Sequence, residues 1–110
     1  MWNYIVQFCQ NNKDSERWKR GWKLARIIAS QLQNKFAAKR VIVFGSLLDF
    51  DEFHSDSDID LAVAGIPSEK FYQAVASVTG LSGEFKVDLV DIEDCLPQLR
   101  QVIESEGMPL

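Results

Sequence analysis

An eleven-residue connection, 47–57, joins a strand-like run that ends in Gly45-Ser46 to a second such run, and this short linker constrains the fold more than any other feature of the chain. The first run is VIVF at 41–44, opened by Arg40 and closed by Gly45. The second is DIDLAVA at 58–64, ended by Gly65, Ile66 and Pro67. Short β-branched, apolar runs punctuated by glycine read as buried strands. A parallel pair needs a crossover of about a dozen residues or more, usually helical. The connection LLDFDEFHSDS has no clean period and reads as a turn or short helix followed by a loop. A small, mixed β-sheet is therefore expected.

The remaining elements follow from period and punctuation. Trp18, Trp22, Ala25, Ala29, Leu32 and Phe36, with Ile28 beside them, recur at spacings of four and three, which predicts an amphipathic helix to about Ala38. Asn11 to Ser15 predicts a break before that helix, with Asp14 or Ser15 as its cap. Lys19, Arg20, Lys23 and Arg26 fall off the stripe, toward solvent or a partner. Ser68 is expected to cap a helix over 68–79, 79–83 form a turn, and FKVDLV at 85–90 a third strand. A last helix is expected from Asp94 to about Glu106, stopped by Gly107, Met108 and Pro109. Helix, strand, strand, helix, strand, helix is an α/β (α+β) order with few elements.

At 110 residues and 46% hydrophobic content the chain suits one domain, 1–110, with a helical segment at 1–38 and a core at 40–110. Cys9 and Cys95 lie far apart and His54 is the one histidine, which excludes a zinc module and a disulfide scaffold. The apolar runs are too short to span a membrane. MWNYIVQFCQ lacks the basic and apolar regions of a signal peptide, so a soluble cytoplasmic protein is expected. The net charge of −4 is unevenly spread. Residues 1–40 hold nine of the twelve cations against Asp14 and Glu16, a balance of +7, whereas 41–110 carry −11. Such a dipole suits an anionic partner at one end and cations at the other.

The chemistry concentrates at 41–60, with Asp88 further on. Gly45 lets backbone approach a bulky anion, and the N–H groups after it, with the Ser46 hydroxyl, can grip a phosphate. Asp58 and Asp60 are two apart on one strand, so their carboxylates share a face while Ile59 and Leu61 turn to the core. Two carboxylates on one face repel unless a cation lies between them, and hard oxygen donors suit Mg²⁺. Asp88 interrupts an apolar strand, where an unpaired buried acid is costly. Placed beside Asp58 and Asp60 it completes a two-metal site, with Asp91 the alternative. His54 reads as a loop residue, and Asp49, Asp51, Glu52 and Asp56 as solvated.

Gly45-Ser46 at a strand end, Asp58-x-Asp60 on the next strand and Asp88 on a later one resemble the polymerase-β-like nucleotidyltransferase superfamily. The pattern is most similar to its minimal nucleotidyltransferases, many of them antitoxins paired with HEPN-domain toxins. The resemblance covers 40–110 and reaches 1–38 only as a preceding helix. It implies that Asp58, Asp60 and Asp88 are catalytic and hold one or two Mg²⁺ ions. It also implies that Gly45, Ser46, Asp58 and Asp60 bind ATP, and that Asp88 helps draw a proton from an acceptor. The linker is one residue longer than is usual in the family. Leu47-Leu48-Asp49-Phe50 replaces an arginine-containing, glycine-punctuated run, and no cation lies between Arg40 and Lys70.

By that resemblance the leading expectation is a protein adenylyltransferase antitoxin moving AMP from ATP to a tyrosine of a HEPN ribonuclease. A chain that ends after its last helix is expected to meet its acceptor in trans, within a homo- or hetero-oligomer. The alternatives are neutralisation by binding alone, or transfer to a small molecule or an RNA end. The basic helix is the feature that favours RNA, and salt-dependent RNA binding would reveal that role.

Overall fold

The computed structural model describes the backbone of residues 2–110 and the side chains of residues 15–110. Helix α1 (Trp2–Phe36) leads into strand β1 (Arg40–Phe44) and two short 3₁₀ turns, Gly45–Leu48 and Phe50–Glu52. Strand β2 (Ile59–Ala64), helix α2 (Ser68–Thr79) and strand β3 (Val87–Asp91) follow. A 3₁₀ turn at Ile92–Asp94, helix α3 (Pro97–Glu106) and strand β4 (Met108–Pro109) complete the described chain.

The sheet is mixed, in the order β3-β2-β1-β4. β1 runs antiparallel to β2, as the short connection requires, and antiparallel to β4. β2 and β3 are parallel, with α2 as their crossover. Strand alternation then builds two apolar layers. Val41, Val43, Ile59, Leu61, Val63 and Val87 pack with Ala25, Ile28, Ala29 and Leu32 of α1 and with Ala74 and Val78 of α2. Ile42, Phe44, Ala62 and Ala64 face the other way, against Ile92 and Ile103. Each fully buried Leu or Ile stabilises the fold by roughly 1.5–3 kcal/mol.

Four sequence expectations need correction. α1 is not broken at Asn11–Ser15, where the backbone is helical throughout. That segment contains neither proline nor glycine, and polar residues there cost only about 0.5–0.7 kcal/mol each in a helix. Ser68 lies inside α2 and does not cap it; Pro67 holds the N-cap position without a side-chain hydrogen bond. α3 begins at Pro97, whose fixed φ suits a first helical position; residues 92–94 form a separate tight turn. Met108 and Pro109 do more than end α3, since they pair with Val43 and Ile42 as the edge strand β4. Cys95 is a free thiol, as expected, and the side chain of Cys9 lies outside the described residues.

Within α1, Gly21 packs tightly over Leu47 and Ile59. A Cβ there would lie 3.0 Å from Leu47 Cδ1 and 3.2 Å from Ile59 Cδ1. A glycine mid-helix costs up to about 1 kcal/mol. Here it lets α1 lie against the residues that lead into the carboxylate strand.

Candidate active site

β1 delivers Gly45 to the sheet end where β2 begins. Gly45 has φ +77°, a conformation glycine adopts without steric cost. A Cβ at this position would collide with the Oδ2 of Asp60. Glycine is thus required both for the turn and to let the carboxylate lie against the backbone. Phe44 occupies the N-cap of the following 3₁₀ turn and offers no side-chain cap to its first N–H groups. Those donors are left for another acceptor.

Asp60 lies on β2 with its Cα paired to Phe44 on one side and to Asp88 of β3 on the other. Alternation puts both aspartates on the face of Ala62 and Val90, toward α3, while Ile59 and Leu61 are fully buried beneath α1. Asp58 immediately precedes β2 and is half-buried. Burial pushes the Asp60 carboxyl up to about 6, and the negative charges of Asp88 and Asp58 add to the shift. A carboxylate with two like charges as its neighbours and no cation among its perturbing groups is a place where positive charge is favoured. Its hard oxygen donors suit a divalent cation. As placed, no three His, Cys, Asp or Glu side chains among the described residues form a closed ligand set.

Asp91, the alternative third acid, lies opposite Val63, three residues further along the ladder. Its carboxylate accepts the Glu93 N–H at 3.0 Å and so caps a turn. His54 is exposed in the loop, where its backbone N–H donates to the Ser57 hydroxyl at 2.8 Å.

Beside Gly45 and Ser46 opens a cleft of about 490 Å³, bounded by Phe44, Leu48, Val102, Asp49, Glu52 and Glu106. Asp49 also accepts the Asp51 N–H at 3.0 Å. Among the described residues, no Lys or Arg of α1 lines this cleft. Arg17 donates to Ser55 C=O at 2.8 Å and stacks 4.5 Å over the Phe85 ring, while Arg20 pairs with Glu84 at 2.8 Å.

Two supporting residues were not identified as site residues from sequence. The Trp18 indole N–H donates to Leu47 C=O at 2.9 Å, and Arg17 grips the far end of the same loop. Together they tie residues 47–55 to α1. Such long-range polar contacts leave no periodic trace, and Trp18 reads from sequence simply as part of the apolar stripe. Trp18 does pack, edge to face, on Trp22 and Phe50, with ring centroids 6.4 and 5.5 Å away.

The family model described as polymerase beta, nucleotidyltransferase, matches residues 26–110. The chain belongs to the polymerase-β-like nucleotidyltransferase family. Within that family it resembles a solved minimal nucleotidyltransferase at 31% identity, TM-score 0.66, over 84% of this chain and 95% of the other. That match places it among the minimal nucleotidyltransferases. A crystal structure of the toxin–antitoxin pair MntA–HpeT matches at 20% identity, TM-score 0.57, over 78% and 70% of the two chains, and shows the shared fold. No curated protein matches. In this nucleotidyltransferase the candidate site residues Gly45, Ser46, Asp58, Asp60 and Asp88 gather where β1 ends and β2 and β3 begin.

Proposed function

We propose that this nucleotidyltransferase moves AMP from ATP to a tyrosine of a HEPN ribonuclease toxin, and so acts as its antitoxin. The observation that carries the transfer reading is the packing of Asp60 against Gly45 with Asp88 beside it in register. The partner reading draws on the toxin–antitoxin complex among the structures that share the fold. On this reading residues 1–110 act as one catalytic unit in the cytoplasm; no described helix is long and apolar enough to cross a membrane.

Asp58 and Asp60, with Asp88, would hold one or two Mg²⁺ ions. Bound Mg²⁺ would supply the positive charge that screens the triphosphate and the departing pyrophosphate. The uncapped N–H groups after Gly45, with the Ser46 hydroxyl, hold the distal phosphates. Asp88 is exposed at the strand edge, where it accepts the proton of the acceptor hydroxyl. The acceptor oxygen then bonds to the α-phosphorus, the α–β bridging bond breaks, and pyrophosphate leaves with that electron pair.

A second reading, neutralisation by contact alone, is favoured by the cleft itself. Asp49, Glu52 and Glu106 line it without a compensating Lys or Arg, which opposes entry of a triphosphate. Incubation of the chain and a co-expressed HEPN partner with α- or γ-labelled ATP and Mg²⁺ separates the two. Transfer of the α-label only, lost in Asp58→Asn/Asp60→Asn, supports catalysis. A silenced partner that takes up neither label supports contact.

A further inference from the structure

The sheet order leaves β3 with one open edge. Ile59 N–H donates to Lys86 C=O at 2.9 Å, which sets the phase of the parallel ladder. Alternate residues of a strand in such a ladder turn both backbone groups toward the same neighbour. Lys86, Asp88 and Val90 therefore face β2, and Val87, Leu89 and Asp91 turn outward. Among the described residues no strand lies beside β3 on the side to which Leu89 turns its N–H and C=O.

A cavity of about 360 Å³ opens there, lined by Phe71, Tyr72, Leu89, Val90, Asp91 and Asp94. Leu89 and Val90 point to opposite faces of the sheet, so a cavity lined by both wraps the strand's edge. Tyr72 is 83% exposed at its rim. An open strand edge is matched by another extended backbone, which adds as a strand, while side-chain pockets select its sequence. Asp91 and Asp94 line this groove and no Lys or Arg does, which favours a cationic occupant. Antiparallel self-pairing of VDLVD about Leu89 would set Asp88 opposite Val90 and Asp91 opposite Val87, and would gather the four acids of two copies along one seam, which like-charge repulsion disfavours.

We propose that the open edge of β3 docks an extended, basic segment of a separate partner polypeptide as a fifth strand. Resting on the nucleotidyl-transfer reading, this strand is also the acceptor segment. A residue paired opposite Asp88 stands on the same face as Asp88 and Asp60, with its Cβ about 5 Å from that of Asp88. A hydroxyl side chain at that position reaches the acid assigned to take its proton.

The test uses a capped peptide alternating valine and lysine around a central tyrosine, added to the full chain without nucleotide. Amide hydrogen exchange at Leu89 is the readout. The peptide should slow that exchange at least about tenfold, and a copy N-methylated on alternate amides, or with glutamate for lysine, should not. No binding, binding that leaves Leu89 unprotected, or equal binding of the N-methylated copy overturns the proposal. Concentration-dependent protection without peptide overturns it too, by showing a second copy on the edge. The Asp58→Asn/Asp60→Asn variant should bind the peptide as the parent does. A parent chain that binds it yet never labels the tyrosine would remove the catalytic reading and leave the docking edge in place.

Discussion

Asp60 carries the clearest energetic signature in the molecule. Its carboxyl ionises near 3.8 when unfolded and is pushed up to about 6 when folded, by burial first and then by Asp88 and Asp58. Between those values the folded chain binds more protons than the unfolded one, so stability falls as pH rises from about 4 to about 6. Because solvent reaches this half-buried carboxylate and screens it, the cost at neutral pH is on the order of 1–2 kcal/mol. Asp60→Asn removes it. Urea unfolding at pH 7.5 should show the variant more stable than the parent, and at pH 4 the gap should close. Gly45→Ala should act in the opposite direction, destabilising by about 2 kcal/mol or more through its positive φ and its collision with the Asp60 carboxylate. Thermal unfolding of that variant checks the magnitude. The roles of Asp60 and Gly45 were legible in sequence as types at spacings. Their mutual contact was not, since it depends on how β1 and β2 come together.

At the scale of elements, the legible parts are those whose signal is local. α2 occupies 68–79 and β1 starts at Arg40, where period and glycine placed them. The break at Asn11–Ser15 failed because cap-forming residues also continue a helix at small cost. β4 was invisible because two residues carry no period, and its pairing is imposed by β1. The tie between α1 and the 47–55 loop was hidden for the same reason, and it yields a prediction. Trp18→Phe keeps the ring but loses the N–H that serves Leu47 C=O. The loss should cost about 1 kcal/mol, read by urea denaturation, with faster amide exchange across residues 47–55. The end of α1 offers a gain instead. Ala37 holds φ +57° just past the helix, while the Ala38 N–H closes on Leu32 C=O. Ala37→Gly should therefore raise stability by about 1 kcal/mol, visible as a higher thermal midpoint.

Across the whole molecule, the contrast between a +7 segment and a −11 remainder is partly resolved within the chain. Arg17 holds a loop carbonyl, Arg20 pairs with Glu84 and Arg40 with Glu104. Lys19, Lys23 and Arg26 stay exposed on α1, where the sequence placed them. The acids behave differently, gathering around Gly45, along the cleft and at the β3 edge with few cations among them. The account therefore makes nucleotide binding depend on divalent cations rather than on basic side chains. Calorimetric titration with a non-hydrolysable ATP analogue, with and without Mg²⁺, measures that dependence directly. The account predicts one-to-one binding only when Mg²⁺ is present, abolished in Asp58→Asn/Asp60→Asn although that variant stays folded. Equal binding without Mg²⁺, or by the double variant, would contradict it.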